Sequence, residues 1–297
     1  MKPVLHVGID IGSTTVKVVL LDDQDRIVFK TYERHMSKVR EKTAETLRRL
    51  EPQLAGTQVQ VAVTGSAGLG VAKAANLEFV QEVFATAGAV EKFLPDTDVV
   101  VELGGEDAKI IFLTGGLEER MNGSCAGGTG AFIDQMATLL GITPAELDQL
   151  SLGSEKLYSI ASRCGVFAKS DIQPLLNQGA RREDVAASIF QAVVNQTIAG
   201  LAQGRPIRGK VLFLGGPLFF FEGLRRRFVE TLKLSPENAV FPETADVFVA
   251  LGAACYAGNT APLSFEEVMK RIENASTQKN TTNTLEPLFR SQEEYDT

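Results

Sequence analysis

Two of the three cysteines in the sequence stand directly in front of predicted helices. Cys125 precedes a glycine-rich turn in "CAGGTGAFIDQMA", and Cys164 opens the segment "CGVFAKSDI". The partial positive charge of a helix N-terminus favours a thiolate or an anionic cluster at such positions. The third cysteine, Cys255, lies in the apolar run "ALGAACYAG" and is predicted to be a small buried core residue.

Two thiols are an incomplete ligand set, because an iron–sulfur cluster of the four-iron kind usually takes four thiolates. Two copies of the chain related by a two-fold axis would supply four, if Cys125 and Cys164 of each copy faced that axis. A structural zinc ion at the same place is an alternative. From the residues alone, two unrelated thiols remain the default interpretation.

Residues 8–22, "GIDIGSTTVKVVLLD", contain a turn that suits phosphate chemistry. Asp10 ends a predicted strand, where its carboxylate could position a magnesium ion through water. Backbone N–H groups and hydroxyls of such a turn hold phosphate oxygens. The predicted nucleotide contacts are Gly12, Ser13, Thr14, Thr15 and Lys17. An ordinary β-hairpin with a solvated lysine is the alternative, and the sequence has no P-loop pattern.

Two further glycine turns repeat this arrangement. In "ELGGEDAK" Glu102 ends a predicted strand, and Gly104 and Gly105 let the backbone approach a phosphate closely. In "FLGGPLFFF" a strand-to-helix junction suits the adenosine end of a nucleotide, with Gly215, Gly216 and Pro217 as contacts. Together the three turns resemble the phosphate-1, phosphate-2 and adenosine motifs of the acetate kinase, sugar kinase, Hsp70 and actin superfamily. The resemblance implies two ribonuclease-H-like lobes with ATP between them.

The elements that must position these turns form a repeat. Residues 4–93 are predicted in the order β-β-β-α-β-α, and a second unit of the same order starts at residue 98. We therefore predict an α/β protein with an actin-like ATPase fold, in which a nucleotide cleft separates lobes at 1–95 and 96–257. Residues 258–297 are polar with little periodicity, which predicts a C-terminal tail or linker that can return to the first lobe.

Composition excludes several classes of protein. The net charge of −7 and the pI of about 5.1 argue against a nucleic-acid partner, which would favour a basic face. The sequence has no apolar run of about 18 residues, which predicts no membrane span. A strand pattern begins at Val4, which predicts no signal peptide. An odd number of cysteines predicts no disulfide framework, so the expected location is the reducing cytoplasm.

The segments "MNGSCAGGTGAFIDQMA" and "SRCGVFAKSDI" closely resemble the activator family of 2-hydroxyacyl-CoA dehydratases and benzoyl-CoA reductases, the BadF/BadG/BcrA/BcrD ATPase family. The resemblance runs from residue 4 to about residue 257 and includes the three nucleotide motifs. It implies a homodimer with one [4Fe-4S] cluster between the subunits, held by Cys125 and Cys164 of each.

The same resemblance implies an activity. The family binds ATP or ADP with Mg²⁺ and couples ATP hydrolysis to transfer of one low-potential electron onto a partner dehydratase or reductase. A ferredoxin or flavodoxin is the expected electron donor. The partner carries the substrate chemistry.

Two acids depart from the usual pattern of the small stand-alone activators, which have Asp where this chain has Glu102 and Gln where it has Glu106. The variant "ELGGEDAKIIF" is more similar to the activase region of very large fused proteins of the family. Both acids are candidates to position the hydrolytic water, with Asp10 on magnesium. Further nucleotide contacts are predicted at Gly128, Thr129 and Gly130, in the turn between Cys125 and the helix that follows it.

A small-molecule kinase of the same superfamily, of the sugar kinase type, is the alternative function. A kinase would need an aspartate base at a sugar pocket, and no aspartate of the sequence is convincing in that role. It would also not need Cys125 or Cys164. A nucleotide-gated binding protein is a third hypothesis, from a class without catalysis.

Overall fold

The computed structural model describes residues 4–122, 127–162, 164–277, 289 and 294. The strands are β1 (Leu5–Ile11), β2 (Thr15–Leu21), β3 (Ile27–Arg34), β4 (Gln58–Thr64), β5 (Glu78–Phe79), β6 (Val99–Leu103), β7 (Ala108–Phe112), β8 (Glu118–Met121), β9 (Val211–Leu214), β10 (Ala239–Val240) and β11 (Leu263–Ser264). The helices are α1 (Val39–Arg48), α2 (Glu51–Leu54), α3 (Gly68–Ala75), α4 (Glu82–Phe93), α5 (Gly130–Leu139), α6 (Pro144–Leu152), α7 (Gly165–Asn177), α8 (Arg182–Thr197), α9 (Gly216–Phe220), α10 (Glu222–Leu232), α11 (Phe248–Ala257) and α12 (Phe265–Thr277).

The strands of the described residues form two sheets with the same internal plan. In the first sheet β1, β2 and β3 are antiparallel neighbours, and β4 lies parallel to β1 on its other side. In the second sheet β6, β7 and β8 are antiparallel neighbours, and β9 lies parallel to β6. Because β1 and β4 run parallel, as do β6 and β9, the turns after these strands meet at the same edge of each sheet.

The central strands are buried on both faces, which is why they read as nearly continuous apolar runs. On one face of each sheet lies a separate core, formed with α1, α3 and α12 in the first sheet and with α5, α8 and α10 in the second. A third cluster joins the other faces of the two sheets through α4 and α11. The two sheets are therefore packed against each other through this shared layer.

Helix α11 lies between the two sheets, although its residues were predicted to belong to the second lobe, 96–257. Its packing is mainly against β1, β4 and α4. Two glycines permit this close approach, since a Cβ on Gly8 would collide with the carbonyl oxygen of Ala250 and a Cβ on Gly252 with that of Ala85. The division of the chain into lobes at residue 95 stays a prediction.

The segment 258–297 is not a polar tail throughout. Leu263 pairs with Val59 of β4, so β11 extends the first sheet. Helix α12 follows and buries an apolar stripe in the first core, formed by Phe265, Val268, Ile272 and Ala275. These four residues lie on one face of a helix, but the charged residues between them make the segment polar on average. Most of 278–297 lies outside the described residues.

Among the residues that the structure describes, the longest apolar helical stretch is Arg182–Ala202, which combines α8 with the π-helical segment Ile198–Ala202. By length and hydropathy this stretch could cross a membrane. It is, however, largely buried, and it packs against α6 and α10 in the second core. These contacts are those of a core helix, and the stretch is weak evidence for a membrane span.

Candidate functional site

The turn after β1 is held by a hydrogen bond within the turn and by hydrogen bonds from His35, the residue that follows β3. The N–H of Gly12 donates to the carbonyl of Thr15 (2.9 Å), and the N–H of His35 donates to the carbonyl of Thr14 (3.1 Å). The ring of His35 is buried, and its Nδ1 accepts a hydrogen bond from the N–H of Ser37. Its Nε2, 3.1 Å from the carbonyl oxygen of Gly12, must therefore be the protonated nitrogen that donates to it. His35 thus fixes the shape of the predicted phosphate-1 turn.

The turn after β6 packs directly on the phosphate-1 turn. Gly105 lies so close to Thr14 that an added Cβ would collide with the Thr14 hydroxyl. The N–H of Gly104 donates to the carbonyl of Asp107 (2.8 Å), which closes the second turn. The structure thus brings two of the three predicted nucleotide turns into contact.

A small polar pocket lies between these turns. It is lined by Asp10, Gly12, Ser13, Thr14, Thr15, Lys17, Glu82, Glu102, Gly104, Gly105, Asp107 and Lys109. All of the residues predicted for the first turn line it, as does the predicted acid Glu102. Glu106, the other predicted acid, is exposed and does not line the pocket.

Asp10 and Lys17 form a largely buried ion pair that lines the pocket. The Nζ of Lys17 donates to Oδ2 of Asp10 at 2.7 Å. Burial lowers the pKa of Lys17, but the charge and the hydrogen bond of Asp10 outweigh burial, so its pKa is raised overall. Lys17 is therefore a fixed cation in the pocket, and the solvated lysine of a plain hairpin is excluded.

A second buried cation, Lys109, lies among three acids. Its Nζ pairs with Glu82, lies 3.3 Å from Oδ2 of Asp107, and lies 3.5 Å from Oε1 of Glu102. The other carboxylate oxygen of Glu102 is buried and has no hydrogen-bond partner among the residues described. Lys109, Glu82 and Asp107 were not predicted as site residues, although Asp107 and Lys109 lie within the quoted motif "ELGGEDAK". The signal available in the sequence was a lysine, Lys109, within an apolar run that was predicted to be a strand.

The pKa values of Glu102 and Lys109 are shifted in opposite directions. Burial, together with the charges of Asp107 and Asp10, raises the pKa of Glu102 to about 8. Burial lowers the pKa of Lys109 to about 8. Near neutral pH the neutral form of Glu102 is therefore favoured in the nucleotide-free protein.

This shift predicts a pH-dependent stability. The folded pKa of Glu102 is raised above the unfolded value of 4.5. Its contribution to the free energy of unfolding is therefore full below pH 4.5 and is lost as the pH rises to about 8. We expect Glu102→Gln to lack this loss. The difference in unfolding free energy, variant minus wild type, should rise by ~1–4 kcal/mol between pH 5 and pH 8. Urea unfolding at several pH values measures it, and a difference that does not change with pH would contradict the assignment.

A wider cleft of about 330 Å³ continues from the polar pocket. It is lined by Thr14, Tyr32, Arg34, Gly105, Gly130, Ala131, Asp134, Gly216, Pro217, Phe220 and Phe221. The predicted adenosine turn forms one wall. Gly215 has a φ of +94°, and Gly216 lies against the hydroxyl of Tyr32, so neither position has room for a side chain. The aromatic residues Tyr32 and Phe220 meet edge to face at 5.5 Å beside it.

Helix α5 begins against the phosphate-2 turn. The N–H of Gly130 donates to the carbonyl of Gly104 (3.0 Å), and the N–H of Ala131 donates to the carbonyl of Gly105 (2.8 Å). Gly130 lines the cleft, whereas Gly128 and Thr129 are buried and do not line it. The phosphate-2 turn and the start of α5 are therefore hydrogen-bonded to each other.

Cys164 is the N-cap residue of α7 and is a free, partly buried thiol. Helix α7 packs against α5, where Gly165 lies close to the side chain of Gln135. Cys125, predicted as the second ligand, lies outside the described residues. Within the part of the chain that is described, no three His, Cys, Asp or Glu side chains are grouped so as to bind a metal directly. Cys255 is half-buried, and burial raises its pKa to about 11, as expected for an unreactive structural thiol.

Comparison with known proteins gives consistent matches over most of the chain. The sequence profile described as "BadF/BadG/BcrA/BcrD ATPase family" matches residues 7–257. The 2-hydroxyisocaproyl-CoA dehydratase activator of Clostridioides difficile is 31% identical over 271 residues, which cover 88% of this chain and 97% of that protein.

Many solved structures match the fold, and two of them are similar over most of the chain. Component A of the Acidaminococcus fermentans (R)-2-hydroxyglutaryl-CoA dehydratase superposes with a TM-score of 0.76 at 27% identity, covering 89% of this chain and 99% of that one. The Clostridium difficile 2-hydroxyisocaproyl-CoA dehydratase activator with bound ADPNP superposes with a TM-score of 0.73 at 27% identity, covering 94% and 99%. These matches confirm the predicted α/β fold of the actin-like ATPase type.

Proposed function

The chain belongs to the BadF/BadG/BcrA/BcrD ATPase family, and on that premise we propose that it is an ATP-dependent reductive activator. It uses ATP binding and hydrolysis to pass a low-potential electron from a [4Fe-4S] cluster to a dehydratase or reductase of the 2-hydroxyacyl-CoA dehydratase type. The observation that carries the proposal is the start of α5. This helix follows the Cys125 segment, and its first N–H groups are hydrogen-bonded to the phosphate-2 turn.

The nucleotide is proposed to lie along the pocket and the cleft. Lys17 and the turn of Gly12, Ser13, Thr14 and Thr15 hold the phosphates from one side, and Gly104 and Gly105 hold them from the other. Gly215, Gly216 and Pro217 receive the adenosine end. Gly130 reaches the nucleotide from the start of α5, with Gly128 and Thr129 supporting the turn behind it.

Glu102 is proposed to position the hydrolytic water, with Glu106 as the other candidate. The unpartnered buried oxygen of Glu102 supports the first choice, because a buried carboxylate oxygen needs a hydrogen-bond partner such as water. Asp10 is proposed to bind Mg²⁺ through water. The donor set fits this ion, since Mg²⁺ is usually bound by one or two carboxylates together with waters and substrate phosphates.

Cys125 and Cys164 are proposed to hold the cluster, with the same two residues of a second subunit. The free thiol of Cys164 at a helix N-cap supports this assignment, because the helix end stabilises a thiolate ligand. When bound, the cluster supplies the low-potential electron that reaches the partner. Helices α5 and α7, which pack on each other, carry the nucleotide-dependent movement to the cysteines.

The proposed assembly has three kinds of protein. The chain forms a homodimer, a ferredoxin or flavodoxin reduces it, and a dehydratase or reductase accepts the electron. The activator of the 2-hydroxyisocaproyl-CoA dehydratase is similar to this chain, which supports the class of acceptor. We further propose a cytoplasmic location, since thiols of this kind persist in a reducing compartment.

Activation of a purified 2-hydroxyacyl-CoA dehydratase tests the proposal. The anaerobically reconstituted and reduced protein is mixed with the dehydratase, and the dehydration of its acyl-CoA substrate is followed. Dehydration is expected only when MgATP and the reduced protein are both present. It is not expected when ATP is left out, or when the protein has not been reduced. Activation that is equal with and without ATP, or transfer of phosphate from ATP to a sugar in place of activation, would contradict it.

A further inference from the structure

One ion pair crosses the cleft between the first sheet and the helix that follows the cysteine segment. Nη2 of Arg34, the last residue of β3, lies 3.1 Å from Oδ2 and 3.5 Å from Oδ1 of Asp134 on α5. Both residues line the 330 Å³ cleft. Within the described residues the guanidinium group of Arg34 has no hydrogen-bond partner other than Asp134.

Arg34 stands beside the phosphate-1 turn. In the antiparallel ladder it is the partner of Thr15, so the two Cα atoms are roughly 5 Å apart. Thr14 and Gly105 line the wide cleft and the polar pocket alike, so the cleft wall that holds Arg34 adjoins the phosphate pocket. An arginine at this place is within reach of a polyphosphate that enters from the cleft.

The pair with Asp134 is weakly held. The two side chains are 62% and 38% exposed, and exposed ion pairs contribute little to stability. Only one guanidinium nitrogen contacts the carboxylate, whereas a phosphate takes two parallel hydrogen bonds from the planar guanidinium group. A polyphosphate also carries more negative charge than one carboxylate. It therefore competes well for Arg34.

We propose that Arg34 binds the polyphosphate of the nucleotide, and that Asp134 holds this arginine when no nucleotide is present. The exchange of partner releases Asp134, so that nucleotide binding removes a link between β3 and α5. Arg34 is thus a nucleotide-binding residue outside the three glycine turns, and Asp134 sets the affinity. The inference rests on the proposed ATP binding at this cleft.

A double-mutant cycle on nucleotide affinity tests the exchange. The probe is ADPNP with Mg²⁺, titrated into the whole chain by calorimetry, with adenosine as the ligand without phosphates. Arg34→Gln is expected to weaken ADPNP binding by about tenfold and to leave adenosine binding unchanged. Asp134→Asn is expected to tighten ADPNP binding by about threefold, because Arg34 no longer has to leave a carboxylate. The double variant should bind as weakly as Arg34→Gln.

Arg48→Gln is the matched control. Arg48 and Glu273 form an ion pair of similar exposure away from the cleft, so this variant should bind ADPNP as the wild type does. Asp134→Asn that weakens binding, or Arg34→Gln that weakens adenosine and ADPNP equally, would overturn the exchange. If all variants bind ADPNP as tightly as the wild type, the inference fails and the proposed function stands. If the wild type binds no ADPNP, the proposed function itself fails.

Discussion

Cys164→Ala is expected to lose the iron–sulfur chromophore and the ability to activate a dehydratase, while nucleotide binding stays as in the wild type. Cys164 is the N-cap residue of α7, but its thiol makes no capping hydrogen bond, so loss of the thiol should change the unfolding free energy by only ~1 kcal/mol. A four-iron cluster that loses one of its two ligands from each subunit keeps two of four thiolates, which is too few to hold it. Visible absorption after anaerobic reconstitution, together with ADPNP titration, measures both properties.

Cys255→Ala is the control for this variant. Cys255 is half-buried on α11, which packs mainly against α4, β1 and β4, and its thiol is kept protonated by burial. It should reconstitute as the wild type does. A Cys164→Ala protein that keeps the full chromophore and activates a dehydratase would remove Cys164 from the ligand set.

Glu102→Gln is expected to lower the kcat of ATP hydrolysis by ~10²–10⁴-fold, the range for loss of a positioned acid–base group. This corresponds to roughly 3–5 kcal/mol of transition-state stabilisation. The ionised form of Glu102 is the one that accepts a proton from water, and it is the minority form below the pKa of about 8. The Kd for ADPNP should change little, because the amide keeps the shape of the side chain and the glycine turns remain. Steady-state phosphate release and ADPNP titration separate the two effects.

Glu106→Gln distinguishes the two candidate acids. Glu106 is exposed, whereas Glu102 is buried with one unpartnered oxygen at the pocket. Hydrolysis by Glu106→Gln should stay within a few-fold of the wild type. If instead Glu106→Gln is inactive and Glu102→Gln is active, the roles of the two acids are exchanged.

The strands and the glycine turns could be predicted from sequence because each depends on local signals. Strands β1, β2, β6 and β7 are buried apolar runs, and glycine turns follow β1, β6 and β9. The helix predicted after Cys164 is α7, whereas α6 was not predicted. A capping box of Thr143 and Glu146 was present as a signal for the start of α6.

The ionic contacts around the cleft could not be predicted, because they join residues far apart in the chain. Lys109 meets Glu82 only after β7 and α4 have packed, and Arg34 meets Asp134 only when the two sheets face each other. Neither pair has a fixed sequence spacing. The packing of α12 in the first core could not be predicted for a similar reason, because its apolar stripe contacts α1 and α3, which are far from it in sequence.

The central claim is that two chains share one cluster under the control of ATP, and a count of iron and sulfide per dimer tests it most directly. The protein is purified and reconstituted without oxygen, its mass in solution is measured by light scattering, and iron and sulfide are assayed on the same sample. The account predicts about four irons and four sulfides per dimer, lost in Cys125→Ala and in Cys164→Ala. About four irons per monomer, or a colourless dimer without iron, would contradict it.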